Sequence, residues 1–423
     1  MTLLLITFAV LLVAGLPIAL AMLGSSLLVI GLEGVPLSVV AQRVVTGVQS
    51  FPLLAIPLFT LAGSLMNDSG ISERLFGFTR AFIGHIRGGT AHTVVVGEVF
   101  LSGISGSSVA DCSALSRVFG PEFVRSGIGK GFGAALCAVA ATLGPIIPPS
   151  TLMVIYAWQA NISLGDLFWA GLLPGLLMAG GMMAIVAYVA HQRQFPTEAS
   201  FAWNRLKRAT REASWALMMP ILILGGFRAG VFTATEIAGV AAFYSLLVGL
   251  YVYKTLKWSH VPAILLQTAK ETAVILLIVA AAAPFSWFIG IAQAPQMLAE
   301  ALTHATDKPW VILLLMNIVL LVLGCFMETL AIMIILVPIL IPVLNLFHVD
   351  LVHFGIVLLV NLTIGQVHPP VGVLLFVSSS VTKVRFGEIV REVWPFIGML
   401  VVVLGILTYI PWVSLVLPAM FKG

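Results

Sequence analysis

The polar residues of this chain that could do chemistry gather where apolar runs are interrupted. Two interruptions, Gly144-Pro145-Ile146-Ile147-Pro148-Pro149 and Gly365-Gln366-Val367-His368-Pro369-Pro370, share the pattern Gly-x-x-x-Pro-Pro and lie 221 residues apart. Each follows a glycine-centred polar stretch: Ser102-Gly103-Ile104-Ser105-Gly106-Ser107-Ser108 in the first half, Gly324-Cys325-Phe326-Met327-Glu328-Thr329 in the second. Proline pairs remove backbone donors and force the chain out of helix. Broken helices expose N–H groups with partial positive charge at one end and free carbonyls at the other. The hydroxyls of Ser102, Ser105, Ser107 and Ser108 add oxygens suited to a hard cation or to a carboxylate, and Thr142, Ser150, Thr151 and Thr363 flank the breaks. Gly103, Gly106, Gly144, Gly324 and Gly365 allow backbone conformations that aim carbonyls inward. One glycine or serine pair in a membrane helix is ordinary packing. A set repeated in each half is the sequence pointer to the binding site of a secondary transporter.

Four acids, Glu98, Asp111, Glu236 and Glu328, fall within apolar sequence. An acid at the bilayer centre costs at least about 2.5 to 3.5 kcal/mol, so it needs a task. Glu328, at the second polar break, is the first choice for a substrate or ion contact. Asp111 is either a contact or a helix cap, while Glu98 and Glu236 read as structural or interfacial. His368, beside the second proline pair, is either a proton or substrate handler or a wall residue bonded to a carbonyl. The chain has no HExxH, EF-hand loop, Walker A or GxGxxG sequence, so nothing points to ATP, a nucleotide cofactor or zinc catalysis. Cys112, Cys137 and Cys325 stand in apolar surroundings with no CxxC, which reads as packing.

The elements that must hold these residues are helices in a membrane. The 423 residues are 60% hydrophobic and 9% charged, where soluble domains carry about a quarter charged. Runs such as 1–30 and 310–325 lack the alternation of barrel strands. The net charge of +4 comes from basic residues clustered in loops, as the positive-inside rule requires, and does not argue for nucleic acid. The N-terminus lacks a basic leader and a small-residue cleavage site, so the expectation is a retained first span.

The spans read as 1–30, 51–66, 131–160 broken at 144–149, 164–191, 214–227, 231–253, 271–291, 351–378 broken at 365–370, and 393–420. Amphipathic pieces cover 35–49, 71–87 and 293–306. Segments 90–115 and 310–346 are expected to be re-entrant hairpins turning at 102–108 and 324–329, because non-helical backbone at that depth must line protein or a wet cavity. The segment from Arg193 to Arg211, which includes Glu198, reads as a basic cytoplasmic loop between the halves. Counting crossings puts that loop, Lys254 with Lys257, and Lys383 to Arg391 on one side, and makes the two hairpins enter from opposite faces. The fold class expected is therefore an all-α polytopic membrane protein of two inverted repeats, each with a re-entrant hairpin and a broken helix.

Ser105-Gly106-Ser107-Ser108-Val109-Ala110-Asp111, Gly144 to Ser150, Gly230-Val231-Phe232-Thr233-Ala234-Thr235-Glu236, Gly324 to Thr329 and Pro338 to Pro342 together resemble signature stretches of the large membrane subunit of TRAP transporters, over essentially the whole chain. The resemblance implies an inner-membrane protein working with a small four-span membrane subunit and a periplasmic substrate-binding protein. It implies sodium coupling and an elevator-type fold, with a transport domain at 88–160 and 309–380. Scaffold and connecting parts would be 1–87, 161–230 and 231–308, and the last span 381–423. It places sodium by Ser102, Gly103, Ser105 and Gly106 with Gly144, and by Gly324, Met327 and Thr329 with Thr363 and Gly365. Substrate, a carboxylate such as a dicarboxylate, keto acid or sialic acid, would sit among Ser107, Ser108, Ser150, Glu328 and His368. A separate small subunit is expected, since the first span begins at Met1. Three other readings stay open: a stand-alone sodium-coupled anion carrier, a channel, and an intramembrane serine protease built on Gly103-Ile104-Ser105-Gly106.

Overall fold

A computed structural model describes residues 1–197, 200–228, 230 and 232–421. Glu198, in the basic segment, and Val231, at the expected start of the 231–308 unit, lie outside the described residues, as do Ala199, Ala229, Lys422 and Gly423. The described chain is helical throughout, apart from one isolated bridge between Arg87 and Thr197.

The helices, in chain order, begin with α1 (Thr2–Val13), α2 (Ile18–Leu32), α3 (Leu37–Val48), α4 (Ala55–Asp68) and α5 (Ile71–Ile83). Then come α6 (Gly89–Ser105), α7 (Ser108–Arg125), α8 (Lys130–Ala140), α9 (Thr151–Ala160), α10 (Leu164–Gln192) and α11 (Trp203–Arg228). The second half holds α12 (Ala234–Leu247), α13 (Val261–Ile291), α14 (Ala294–Ala305), α15 (Pro309–Gly324) and α16 (Thr329–Leu346). It closes with α17 (Leu351–Val367), α18 (Val373–Thr382), α19 (Phe386–Tyr409) and α20 (Trp412–Phe421). Among the described residues six helical stretches are long and apolar enough to cross a membrane: Phe51–Asp68, Leu164–Gln192, Ala234–Val252, Val261–Ile291, Thr329–Leu346 and Phe386–Tyr409.

Several boundaries differ from the sequence reading. The 1–30 run is two helices parted at Gly15, which has φ +85°, and Pro17. The basic segment turns helical at Trp203: Arg205, Lys207, Arg208 and Arg211 lie on α11, which runs on through the segment read as the connecting span. The last span begins at Phe386 rather than 393 and stops at Tyr409, before Pro411, with α20 a separate short helix. In the first hairpin the turn is only Gly106 and Ser107, so Ser102, Gly103 and Ser105 lie within α6. The second broken helix runs through Gly365 to Val367 and breaks at 368–372.

One order of elements occurs twice. The run α6 to α10 and the run α15 to α19 each read helix, tight turn, helix, broken helix, long helix, at nearly constant sequence offset. The two runs are cross-braced. α18 packs on α7 and α8 of the first run, while α9 packs on α16 and α17 of the second. Ser378 Oγ donates to Ala134 O at 2.7 Å and lies 3.3 Å from Ser116 Oγ. On the other side Tyr156 OH donates to Leu351 O at 2.7 Å and Gln159 Nε2 to Ile334 O at 3.0 Å. Around this block, α13 packs on α2, α3 and α4, α12 on α4, and α11 on α5.

Candidate functional site

Each expected substrate residue sits at a helix end. Ser107 and Ser108 open α7: Ser107 is the N-cap and its hydroxyl accepts Ala110 N–H at 3.5 Å. Glu328 holds the equivalent place at the start of α16, where Oε2 accepts Ala331 N–H at 3.1 Å. The two hairpins therefore present one neutral cap and one acidic cap. Ser150 caps α9, accepting Met153 N–H at 3.3 Å, whereas α18 begins at Gly372 with no side-chain cap. A side-chain cap satisfies one of the orphan donors of a helix start and leaves others free for a ligand.

Two cavities meet these ends. The larger, of about 610 Å³, is lined by Ser105, Gly106, Ser107, Ser108, Thr151 and, from the second hairpin, Glu328 and Thr329. The second, of about 450 Å³, is lined by Gly324, Cys325, Met327, Glu328, Thr329 and Gly365. Glu328, Thr329 and Gln366 belong to both. The cavity walls thus draw on both runs of the repeat.

Other expected residues lie behind those walls. Ser102 is buried and donates its hydroxyl to Glu98 O of its own helix at 2.6 Å. Thr363 does the same with Val360 O at 2.9 Å. Gly103 faces Pro220 of α11, with a Cβ built on it 3.3 Å from the proline Cγ. His368 stands in the second break, its Nδ1 2.5 Å from Pro369 O and 3.3 Å from Cys325 Sγ. Gly144 and Asp111 form a buried point of contact: a Cβ on Gly144 would come within 2.7 Å of Asp111 Oδ2. Asp111 accepts the Ser105 hydroxyl on Oδ1, and its carboxyl also hydrogen-bonds that of Glu98.

Backbone meets backbone at both hairpins. Gly106 has φ +61°, and a Cβ there would lie 2.6 Å from Pro149 O. A Cβ on Gly365 would lie 2.6 Å from the carbonyl of Gly324. Only glycine permits these approaches. Of the remaining acids, Glu236 closes a capping box with Thr233, whose N–H reaches Oε2 at 2.7 Å, which is a structural task. Glu98 is fully buried, and its carboxyl hydrogen-bonds that of Asp111.

Sequence reasoning missed several polar residues. Gln366 donates to Thr329 Oγ1 at 2.8 Å and joins the second hairpin to the second broken helix. Its signal was present, a lone amide inside the second glycine–proline stretch. Asn317 and Asn361 bond each other at 2.8 Å, and Asn317 bonds Thr408 at 2.8 Å, a buried amide ladder through α15, α17 and α19. Thr60, Ser64, Asn67 and Glu271 line the larger cavity from α4 and α13, where nothing in their local sequence sets them apart.

Comparison with known proteins identifies the family and the fold. Residues 5–413 match the family model for the Tripartite ATP-independent periplasmic transporter, DctM component. The chain is 41% identical to the C4-dicarboxylate TRAP transporter large permease protein DctM of Pseudomonas aeruginosa, over 88% of this chain and 87% of that one. It is 37% identical to the sialic acid TRAP transporter large permease protein SiaM of Vibrio cholerae, over 98% and 97%. The crystal structure of the Alcanivorax borkumensis YdaH transporter shares the fold, with a TM-score of 0.65 at 18% identity, covering 89% of this chain and 88% of that one. A repeated order of helices among the described residues and a family match along nearly the whole length leave the protease and channel readings without support. The chain belongs to the DctM family and is the large permease subunit of a TRAP-type secondary transporter, a multi-pass protein of the bacterial inner membrane.

Proposed function

We propose that the protein imports a small carboxylate-bearing solute together with sodium, by an elevator-type movement of the α6–α9 and α15–α18 block. The observation that carries the reading is the cavity shared by three helix starts, two capped by serine and one by glutamate. The starts of α7 and α9 offer N–H groups, hydroxyls and positive dipole ends to a carboxylate. Glu328 sets a negative charge on the same cavity, so an anion entering alone meets repulsion. A cation entering with it removes that repulsion, and the two bindings become linked. Asp111 Oδ2, buried beside the Gly144 backbone with the Glu98 carboxyl close to Asp111, is a hard oxygen suited to sodium. In the second run Gly324, Met327, Thr329 and Gly365 are the corresponding sodium-side residues. The hairpins are taken to be re-entrant and inverted relative to each other.

The relatives named for C4-dicarboxylates and for sialic acid have carboxylated solutes in common, which supports the class and leaves the particular acid open. A periplasmic binding protein would deliver the solute and a small four-span subunit would brace the scaffold. The test is uptake of labelled C4-dicarboxylate or sialic acid into proteoliposomes, with sodium and each partner added or omitted. Uptake is expected only with an inward sodium gradient and both partners. Equal uptake in potassium alone would overturn the coupling, and uptake without partners would favour the stand-alone carrier.

A further inference from the structure

We propose that the helices around the block select the solute: Glu271 of α13, with Thr60 and Asn67 of α4, favours a monocarboxylate bearing hydroxyl groups over a dianion. The inference rests on the transport reading above and narrows it to one class of acid. Thr60, Ser64 and Asn67 recur at i, i+4 and i+7, so they share one face of α4. That face lines the 610 Å³ cavity, together with Glu271, Val274 and Ile275 of α13. α4 and α13 pack on each other, so the two faces form one wall. The block supplies the starts of α7 and α9 to the same cavity, where the solute's carboxylate is taken. The rest of the solute is left to the wall of α4 and α13.

What each polar group of that wall can still offer follows from the bonds it already makes. Glu271 Oε1 accepts Gln267 Nε2 from the preceding turn at 2.8 Å, which orients the carboxylate and leaves its other oxygen to accept. Thr60 donates its hydroxyl to Ile56 O at 2.8 Å, so toward the cavity it only accepts. Asn67 Oδ1 accepts the Ser72 hydroxyl at 3.2 Å, which leaves the amide NH2 to donate. A solute hydroxyl suits all three, because it donates to Glu271 or Thr60 and accepts from Asn67. A second solute carboxylate only accepts, and it meets a like charge. Glu271 and Glu328 both line the cavity, and among the described residues no Lys, Arg or His does. Lys270 precedes Glu271 in the chain but is outside the lining, since consecutive helical residues do not share a face. Sodium held in the block offsets Glu328 there and leaves Glu271, on the other wall, to repel a second negative charge.

The test is calorimetric binding to the full chain with its small subunit in lipid nanodiscs. The probes are gluconate, a hydroxylated monoanion; succinate, a dianion; and hexanoate, a monoanion without hydroxyls. At saturating sodium, gluconate should bind at least about tenfold tighter than either of the others. In Glu271→Gln the preference for gluconate over succinate should shrink by about fivefold or more, chiefly because succinate tightens. In Asn67→Leu gluconate should weaken by about threefold or more while hexanoate stays within about twofold, which also shows that the variant is folded. Succinate or hexanoate binding as tightly as gluconate overturns the selection. So does a gluconate-to-succinate ratio unchanged in Glu271→Gln. The transport reading fails separately: if gluconate keeps its affinity and its preference with potassium in place of sodium, the coupling falls and the selecting wall stands. Binding of none of the three acids overturns both.

Discussion

Asp111 uses its two carboxylate oxygens differently. Oδ1 takes the Ser105 hydroxyl; Oδ2 is buried against Gly144, and the Asp111 carboxyl also hydrogen-bonds that of Glu98. Two carboxyls side by side in a buried site repel each other when both are charged, and a bound cation offsets that repulsion. Asp111→Asn should therefore fold and insert but need at least about tenfold more sodium for half-maximal uptake, roughly 1.4 kcal/mol. An unchanged sodium dependence in proteoliposomes would remove Asp111 from the cation site. Glu328→Gln tests the other half of the coupling. It keeps a side-chain oxygen to cap α16 at Ala331 and deletes the charge. Solute binding measured by calorimetry should then become less sodium-dependent, by severalfold; a parallel loss of solute affinity with and without sodium would mean that Glu328 contacts the solute itself. At the start of α12, Thr233→Ala removes the capping-box hydroxyl and should cost about 1 kcal/mol of stability without touching uptake kinetics.

At the scale of elements, the duplicated breaks were legible from Gly-x-x-x-Pro-Pro, but their edges were not. The reason lies in one position. Pro145 of the first repeat corresponds to Gln366 of the second. Pro145 has no N–H to continue a helix, so α8 and its tight final turn end at Leu143. Gln366 keeps its N–H, and α17 passes through Gly365 until Pro369 holds His368 extended at φ −89°, ψ 127°. The first hairpin was drawn too loosely for a related reason. Serines can satisfy their hydroxyls inside a helix by bonding back to the preceding turn, as Ser102 does to Glu98 O, so a Gly/Ser-rich stretch does not by itself mark a break. Close backbone packing, in contrast, could not be read from spacing, because glycine in a membrane helix marks many such contacts and also none. Gly365 and Gly405 look alike in sequence. A Cβ on Gly365 would sit 2.6 Å from the Gly324 carbonyl, while one on Gly405 meets nothing within 4 Å. Gly365→Ala should lower stability by about 1–3 kcal/mol through overpacking and push α15 from α17. Gly405→Ala, on an open helix face, should be neutral or gain up to about 1 kcal/mol. Thermal unfolding in the same detergent compares them, and equal melting temperatures would refute the contact.

For the molecule as a whole, the proposed movement requires that one group of helices stay rigid while it slides against another. The cross-brace supplies the rigidity, since α18 is held by the first run and α9 by the second. Neither hairpin can shift without carrying the other repeat's half-helix along. Two engineered disulfides separate internal rigidity from relative motion. Ser116 and Ser378 lie within the block, their hydroxyl oxygens 3.3 Å apart. Gly103 of α6 faces Pro220 of α11, where a Cβ built on the glycine is 3.7 Å from the proline Cβ, close to the mean of about 3.8 Å for disulfides. The Ser116→Cys/Ser378→Cys pair, oxidised, should leave sodium-driven uptake within about twofold of its reduced form, because it ties parts that travel together. The Gly103→Cys/Pro220→Cys pair should abolish uptake when oxidised and recover it with dithiothreitol, because it ties the block to its surround. The reduced protein is its own control for damage by the substitutions. If the second disulfide forms fully and uptake continues at the reduced rate, α6 does not slide against α11. The solute would then have to cross by local opening of the hairpins alone.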